Sequence, residues 1–565
     1  MVLLFVLIVT IRPRKLKMFS QEMVKKAIGN YKWQYDKIGT WRSYWQDCYN
    51  FALPRKAWIS TIKKEAQELN LNFLYDSRAT LAVMKSSAGF HSNLTNPSTR
   101  WWQSGLIEDK YMQTGRAQKY FRECDDIQYD VMNGSNFNRS MMEFYPNLLV
   151  GGVSTILTES SAKKKVRYTP IPIESAVLVE DDEGYVNETY RPFRFTAVQC
   201  MERWGDRLPD SIKTALKDGD YYKEFDLLHY VAPRYMRNVA MMDNSNMEYF
   251  SVWIGIDDEF LFEESGFVED PYATARWWKD TMDGSPYAYS PTMNVLGSIK
   301  LANAQKRTLI RVSMKQADPA YASPYKFWIA PLNLNPAAMN YYDASKFKLE
   351  QFAQMENKGN IPITADVMKL EQDLIDAGLF VNLFENLMNV TKQMTIPEVQ
   401  QRLAEALNLI SPYIGHVLDE GITPILFRTR AILERQLMFP PAPKELKNLD
   451  MSIVYLSPLA KAQRSAEMNG LNAWTTYITG LIEGGFSDAK YILNIDKIGR
   501  SSADLLGVNP DNVAEQSDMD KRRQADQQMQ QQMMQLKIAE EKSKIGKNLA
   551  GAHKDVSEGQ AAMKQ

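Results

Sequence analysis

The chain has 565 residues, 45% of them hydrophobic and 11% aromatic, with a formal net charge of −1. That length makes several domains or one large elongated unit, with enough apolar material for sizeable cores. The near-neutral balance argues against tight general binding to nucleic acid, because such affinity comes from many phosphate contacts and needs a basic excess; it leaves room for a local basic stripe. Cys48, Cys124 and Cys200 lie far apart, without CxxC or metal-ligand spacing. No disulfide framework is expected, and folding in a reducing cytoplasm fits.

Val2 to Ile11 is an apolar run followed by Arg12, Arg14, Lys15 and Lys17. It is too short for a membrane-spanning helix, which takes about 20 residues. Its charges follow the run and no small-residue cleavage site comes after it, so it is not a secretory signal. Three readings are open for residues 1–17: a stretch upstream of a true start at Met18, a flexible arm, or a membrane anchor. From Ser20 to about Arg55 the pattern is helical, carries Trp33, Trp41 and Trp45, and ends at Leu53-Pro54. Further helical stretches run from about Asp76 to Leu94, stopping at Asn96-Pro97, and from Ala117 to Asn133. An apolar segment follows over Phe144 to Leu157.

Residues 165–265 alternate and carry turn signals. Val177-Leu178-Val179 and Tyr185-Val186 flank Asp181-Asp182-Glu183-Gly184, and Trp253-Ile254 and Phe260-Leu261-Phe262 flank Asp257-Asp258-Glu259. Short apolar runs about a polar tip predict hairpins. Helices over Thr196–Trp204 and Asp210–Lys217 interrupt this β-rich stretch.

Beyond Pro291 the pattern turns helical. Pro291 to Gln316 is one long predicted helix, closed by Pro319 and Pro324. Residues 319–362 hold five prolines and many aromatics, which predicts a compact, mostly non-helical insert. Ala365 to Met388 is a second long predicted helix, with Val367, Leu370, Leu374, Val381, Phe384 and Met388 as its apolar stripe. After a polar break at Asn389–Met394, Thr395-Ile396-Pro397-Glu398 reads as a capping box opening a helix whose buried stripe is Val399, Leu403, Ala406 and Ile410. Another helix spans Thr423 to Leu437 and stops before Pro440-Pro441. A short strand, Ile453–Tyr455, precedes more helices. After Asn512 the chain becomes rich in Gln, Met, Lys and Glu, and reads as a loose tail or a helix ordered by neighbouring subunits.

Few residues point to chemistry. Lys300, Arg307, Arg311 and Lys315 share one face of the first long helix at steps of seven and four. Three readings compete: a solvated face, pairing with acids on a neighbouring copy, or contact with nucleic-acid phosphates. Asp366, Glu371, Asp373 and Asp376 on the second long helix suit the pairing. Asp257, Asp258, Glu259, Glu263 and Glu264 lack calcium-loop spacing and read as a solvated hairpin tip. No GxxxxGK[ST], HExxH or GxSxG motif occurs. His91, His229, His416 and His553 are scattered, so no catalytic, cofactor or metal site is expected.

The order of elements is mixed α/β region, long helix, compact insert, long helix, short polar loop, capped helix and helical end. It resembles the portal proteins, or head-to-tail connectors, of short-tailed, podovirus-type bacteriophages. Local segments carry the same resemblance: Leu456-Ser457-Pro458-Leu459-Ala460-Lys461-Ala462-Gln463-Arg464; Tyr75-Asp76-Ser77 with Leu94-Thr95-Asn96-Pro97 and Trp101; Arg276-Trp277-Trp278 with Gly284-Ser285-Pro286 and Asn294 to Asn303; and Met394-Thr395 to Arg402. Together they cover roughly residues 30–510. Ser285-Pro286-Tyr287 departs from the Tyr-Gly pair that the resemblance leads one to expect, and the N-terminal apolar run is a second departure.

The resemblance implies a mainly α, α+β portal fold assembled as a ring. It places a wing at 18–290, a first stem helix at 291–318, a clip at 319–363 and a second stem helix at 364–388. A tunnel loop follows at 389–395, wing and crown helices at 396–445, a crown at 446–512 and a polar tail at 513–565. It further implies a homo-oligomer of twelve subunits at one capsid vertex, through which double-stranded DNA enters and leaves. The major capsid protein, scaffolding protein, terminase large subunit and tail adaptor proteins would be its partners. The setting would be the virion, and the host cytoplasm during assembly. Lys300, Arg307, Arg311 and Lys315 would then line the stem channel, and Asn389, Thr391, Lys392 and Gln393 the tunnel loop. Tyr325, Phe327, Trp328, Tyr341 and Tyr342 would form a clip docking surface, against the plainer reading that these aromatics are the insert's own core. The chain would be a structural protein, not an enzyme. The rival readings are a membrane-associated virion structural protein using Val2 to Ile11, and a metal-dependent nuclease.

Overall fold

The computed structural model describes residues 19–57, 72–106, 115–235, most of 237–317, short pieces between 321 and 354, then 361–388, 410–443, 451–486 except 457, 492–506 and 516–562. Its contacts divide the chain into two units: residues 1–102, 125–439 and 457–462 in the first, and 103–124, 440–456 and 463–565 in the second.

The first unit opens with α1 (Gln21–Lys37), whose N-cap Ser20 accepts a hydrogen bond from the Met23 amide. After the single residue Ile38 comes α2 (Gly39–Ala52), and Pro54 starts a 3-10 turn. The helical stretch read from Ser20 to Arg55 is therefore two helices, because Gly39 and Pro54 punctuate it. Next come α3 (Arg78–Leu94), then β1 (Trp102–Leu106) leading into the second unit, α4 (Gly115–Gly134) and α5 (Phe137–Gly151). Gly152 ends α5 at a φ of 79°, with the Ala288 carbonyl where a Cβ would sit. Only glycine serves both demands.

The sheets follow in β2 (Val153–Ser161), β3 (Lys165–Ile171), β4 (Val177–Glu180) and β5 (Val186–Thr196). Then come α6 (Ala197–Trp204), α7 (Asp210–Lys217), β6 (Glu224–Pro233), β7 (Tyr249–Gly255), β8 (Phe260–Phe267) and β9 (Tyr272–Arg276). Both expected hairpins are present, as β4–β5 and β7–β8. The sheets run β3-β2-β9 and β4-β5-β6-β7-β8, with antiparallel pairing throughout.

Alternation gives the five-stranded sheet two buried faces. Leu228, Val252 and Ile254 join the large core beneath α1, α2 and α3, whereas Leu227, Trp253 and Phe262 pack with Cys200 and Ile212 of α6 and α7. Thr196 and Gln199 close α6 with a complete capping box. His229 lies on this second face. Its Nδ1 is 3.0 Å from the Tyr272 hydroxyl and its Nε2 2.8 Å from Ser251 Oγ, and its ring stacks on Trp253. Cys48, Cys124 and Cys200 are buried.

The long helix α8 (Pro291–Ala317) matches the predicted first helix. The second differs from expectation: it is α9 (Ile361–Gly378) and α10 (Val381–Met388), broken at Leu379-Phe380. Gly378 is a poor helix former that lets Val295 of α8 approach its backbone. Phe380 then takes a φ of 63° and inserts its ring beside Phe90 and Trp277. The Gly378–Val295 contact sets the end of α9 against the start of α8, so the two run antiparallel.

The capping box at Thr395 and the stripe from Val399 to Ala406 lie outside the described residues. After a helical turn over 410–416, the backbone widens into a π-segment, Val417–Ile422, and continues as α11 (Thr423–Arg435). A Cβ on Gly421 would stand 2.7 Å from the Ala275 side chain, so glycine permits the close approach to β9. Glu420 of the same segment meets Arg276 through two hydrogen bonds, of 2.8 and 2.6 Å. Arg276 also pairs with Glu180 and donates to the Gly184 carbonyl at 2.8 Å, while Lys279 shares Glu180.

The second unit holds a two-stranded sheet of β1 with β12 (Met451–Tyr455). Its helices are α12 (Pro458–Glu483), α13 (Ile495–Leu506) and α14 (Gln516–Ala562). The Gln- and Met-rich stretch is therefore one helix of 47 residues. Its described side chains are almost all exposed, as expected of a composition with little to bury.

Two outcomes test this framework. Arg276→Met leaves Glu420 without its cation in a buried setting and Glu180 with Lys279 alone, and chemical denaturation should register a loss of about 3–5 kcal/mol. Burial pushes the His229 imidazole down to about 3 from an ordinary 6.5. A depressed value means stability is full above the unfolded pKa and is lost as pH falls through this window. About 2 kcal/mol should go by about pH 5, still above the range where ordinary carboxylates titrate. His229→Gln should flatten that part of the profile.

Candidate functional site

The basic stripe is on α8, and all four of its members are exposed. Its two halves have different surroundings. Lys300 Nζ is 2.7 Å from Asp47 Oδ2 on α2, and Arg307 lies over the Tyr75 ring at 5.6 Å. These two cations are engaged by their own chain. Arg311 and Lys315 have no ionic partner among the described residues.

The acids of α9 divide in the same way. Asp376 is buried and pairs with Arg78, whose Nε donates to Oδ1 at 2.9 Å. Gln372 donates to Asp76 at 3.1 Å, and Asn303 of α8 accepts the Tyr75 and Asp76 amides at 2.7 and 3.0 Å. These polar contacts fasten the base of the helix pair to the segment before α3. Asp366 and Asp373 are exposed.

The apolar stripe of the second helix is not one buried face. Val381 and Phe384 are buried, together with Ile375 and Leu379, but Val367, Leu370 and Leu374 face outward, Leu370 at 63% and Leu374 at 55% exposure. Steps of three and four keep these three on one side of α9, opposite its packed side. Met314 of α8, at 65%, is also uncovered. Period alone flagged these residues as apolar; it could not say which side is covered within one chain.

The aromatics of the insert at 319–362 separate too. Phe327 is buried and stacks on Tyr342 with centroids 5.2 Å apart and planes 4° apart, and it meets Trp328 edge-on. Trp328 and Tyr342 form a β-bridge, and the Ile329 amide donates to the Tyr341 carbonyl. Those three rings form a small cluster of the insert's own, with Phe327 buried and Trp328 and Tyr342 half-buried. Tyr341 is 64% exposed, with Ile329 and Met339 exposed nearby in sequence. Tyr325 lies outside the described residues, as do Asn389, Thr391, Lys392 and Gln393.

Among the described residues no group of three or more His, Cys, Asp and Glu is placed to hold a metal ion. The acids of the β7–β8 hairpin have separate uses: Glu259 pairs with Lys25 at 3.2 Å, Glu263 accepts from Trp204 Nε1, and Glu264 pairs with Arg234 at 3.1 Å. No described helix is long and apolar enough to cross a membrane. Residues missed by the sequence reading are those of the Arg276 cluster; Arg276, Glu180 and Glu420 sit far apart in the chain with no spacing to connect them.

The family model for bacteriophage head to tail connecting protein matches residues 25–513. A portal protein of Salmonella phage epsilon15 is 26% identical over 480 residues, covering 83% of this chain and 85% of the relative. A probable portal protein of Bordetella phage BPP-1 is 23% identical over 513 residues, covering 88% and 90%. The chain belongs to the family of bacteriophage head to tail connecting proteins.

Proposed function

We propose that this chain is a portal subunit that closes into a ring, twelve copies by family resemblance, at one capsid vertex. The ring is a passive conduit for double-stranded DNA during packaging and ejection, and a platform for the terminase large subunit, the tail adaptors, the scaffolding protein and the major capsid protein. The observation that carries this reading is the two-sided apolar character of α9. Ile375, with Leu379 just past the helix end, packs within the chain, while Val367, Leu370 and Leu374 are left uncovered. A helix apolar on two sides needs cover on both. A second copy of the helix pair supplies it, and repetition of one such contact by a fixed rotation closes a ring.

Within this reading α8 and α9 are the stem, with α8 about 40 Å long, residues 319–363 the clip and 389–395 the tunnel loop. Lys300 and Arg307 keep structural roles. Arg311 and Lys315 are the stripe members left to meet DNA in the channel. Two such cations per copy suit sliding: contact is frequent, and no single grip is strong enough to hold a moving duplex. Tyr341, with Ile329 and Met339, is the part of the clip that remains for docking.

Leu370→Glu with Leu374→Glu should abolish assembly in sedimentation velocity while the thermal midpoint of the chain stays within a few degrees; rings of normal mass would contradict the reading. Arg311→Glu with Lys315→Glu should leave rings intact and lower the DNA content of assembled particles. Normal DNA content would return those residues to a solvated face, and lost rings would assign them to pairing with a neighbour's Asp366 and Asp373.

A further inference from the structure

We propose that neighbouring copies of this chain also join through the two ends of strand β2, with the lysine turn of one copy meeting the acidic turn of the next. The proposal rests on the ring reading above and names a contact within it.

One end of β2 is the β2–β3 turn, closed by the pair Ser161 and Lys165. Lys163, Lys164 and Lys165 are all exposed there. Lys164 donates to the Gly134 carbonyl at 2.9 Å, which holds the turn against the α4–α5 junction. Arg167 stands opposite Glu159 in the ladder and is offset by it. Among the described residues the three lysines have no carboxylate partner, so the turn presents uncompensated positive charge.

The other end of β2 lies beside an acidic turn. Val153 pairs with Arg276, and Arg276 donates to the Gly184 carbonyl in the β4–β5 turn at 2.8 Å. Glu180, at the base of that turn, is neutralised by Arg276 and Lys279. The Asp181 carboxylate accepts the Glu183 and Tyr185 amides at 3.1 and 2.8 Å and shapes the turn. Asp182 and Glu183 remain, exposed and without an ionic partner among the described residues.

The strand separates the two turns by eight residue steps, about 26 Å. The Debye length at physiological salt is about 8 Å. The two ends therefore do not neutralise each other within one copy, and each lacks its counter-charge until another molecule brings it. A ring of identical subunits needs a head-to-tail interface, in which two different patches on opposite sides complement each other. Opposite charges at opposite ends of one strand meet that need. They also oppose symmetric pairing, which would bring like turns together.

The test uses full-length chains carrying Lys163→Glu with Lys165→Glu, or Asp182→Lys with Glu183→Lys, with circular dichroism and thermal melting to confirm folding. Each variant alone should need about tenfold or more higher concentration to form rings. Mixed in equal amounts they should assemble near the wild-type concentration, because every contact in an alternating ring is then attractive. Either variant assembling like wild type overturns the proposal, as does a folded mixture that fails to assemble. If the lysine variant forms normal rings and loses only DNA or an acidic protein, the turn serves that ligand and not a second copy. A wild-type chain that forms no rings would instead overturn the ring reading itself.

Discussion

Arg276 is the constraint on which the first unit depends. Its side chain is 3% exposed and touches Glu180, Glu420 and the Gly184 carbonyl, drawing together segments 96 and 144 residues away in sequence. Two carboxylates compensate Arg276 and Lys279, so the cluster is close to neutral and tolerates burial. Removing one member leaves a charge in a low-dielectric place with nothing to offset it. The same residue ends β9 and pairs with the start of β2, so this ionic knot sits where both sheets and the π-segment converge.

The π-segment depends on that knot. One extra residue in a helical turn rotates the rest of the helix by about 100°. Gly421 can then press on Ala275 while Glu420 reaches Arg276, and α11 leaves with a fixed orientation. Its polar residues find partners deep in the unit: Arg430 pairs with Asp125 at 3.3 Å, and Thr429 Oγ1 is 2.8 Å from the Tyr168 hydroxyl. Residues 389–409 are thus succeeded by a helix anchored in the core. The Asp376–Arg78 pair and Asn303 anchor α8 and α9 to the segment before α3 in a similar way.

Much of this was legible in the sequence where local chemistry decides. Proline bounded the first long helix, α8, alternation with acidic tips marked the β4–β5 and β7–β8 hairpins, and Thr196 caps α6 where a helix start was expected. Misreadings came where tertiary contacts override local pattern. The second long helix breaks at Leu379-Phe380 because Phe380 has a ring pocket to fill and Gly378 gives no resistance. Apolar periodicity found Leu370 and Leu374 but not that they face away from their own chain. Aromatic content flagged the insert at 319–362, where Phe327 and Tyr342 stack on each other. Lys300 and Arg307 read as a free stripe because Asp47 and Tyr75 are more than two hundred residues distant. Arg276 lay in a segment that carried the resemblance, but no spacing connected it to Glu180 and Glu420. The family was legible because order and spacing of elements persist where single motifs do not.

A closed, polar ring with a central passage makes one demand above all: identical subunits must repeat around an axis in a single sense. Cryo-electron microscopy of the purified full-length protein tests that most directly. The expected result is discrete rotationally symmetric particles with a central hole and all subunits pointing the same way around the axis. Monomers, face-to-face dimers or open filaments as the assembled form would contradict it.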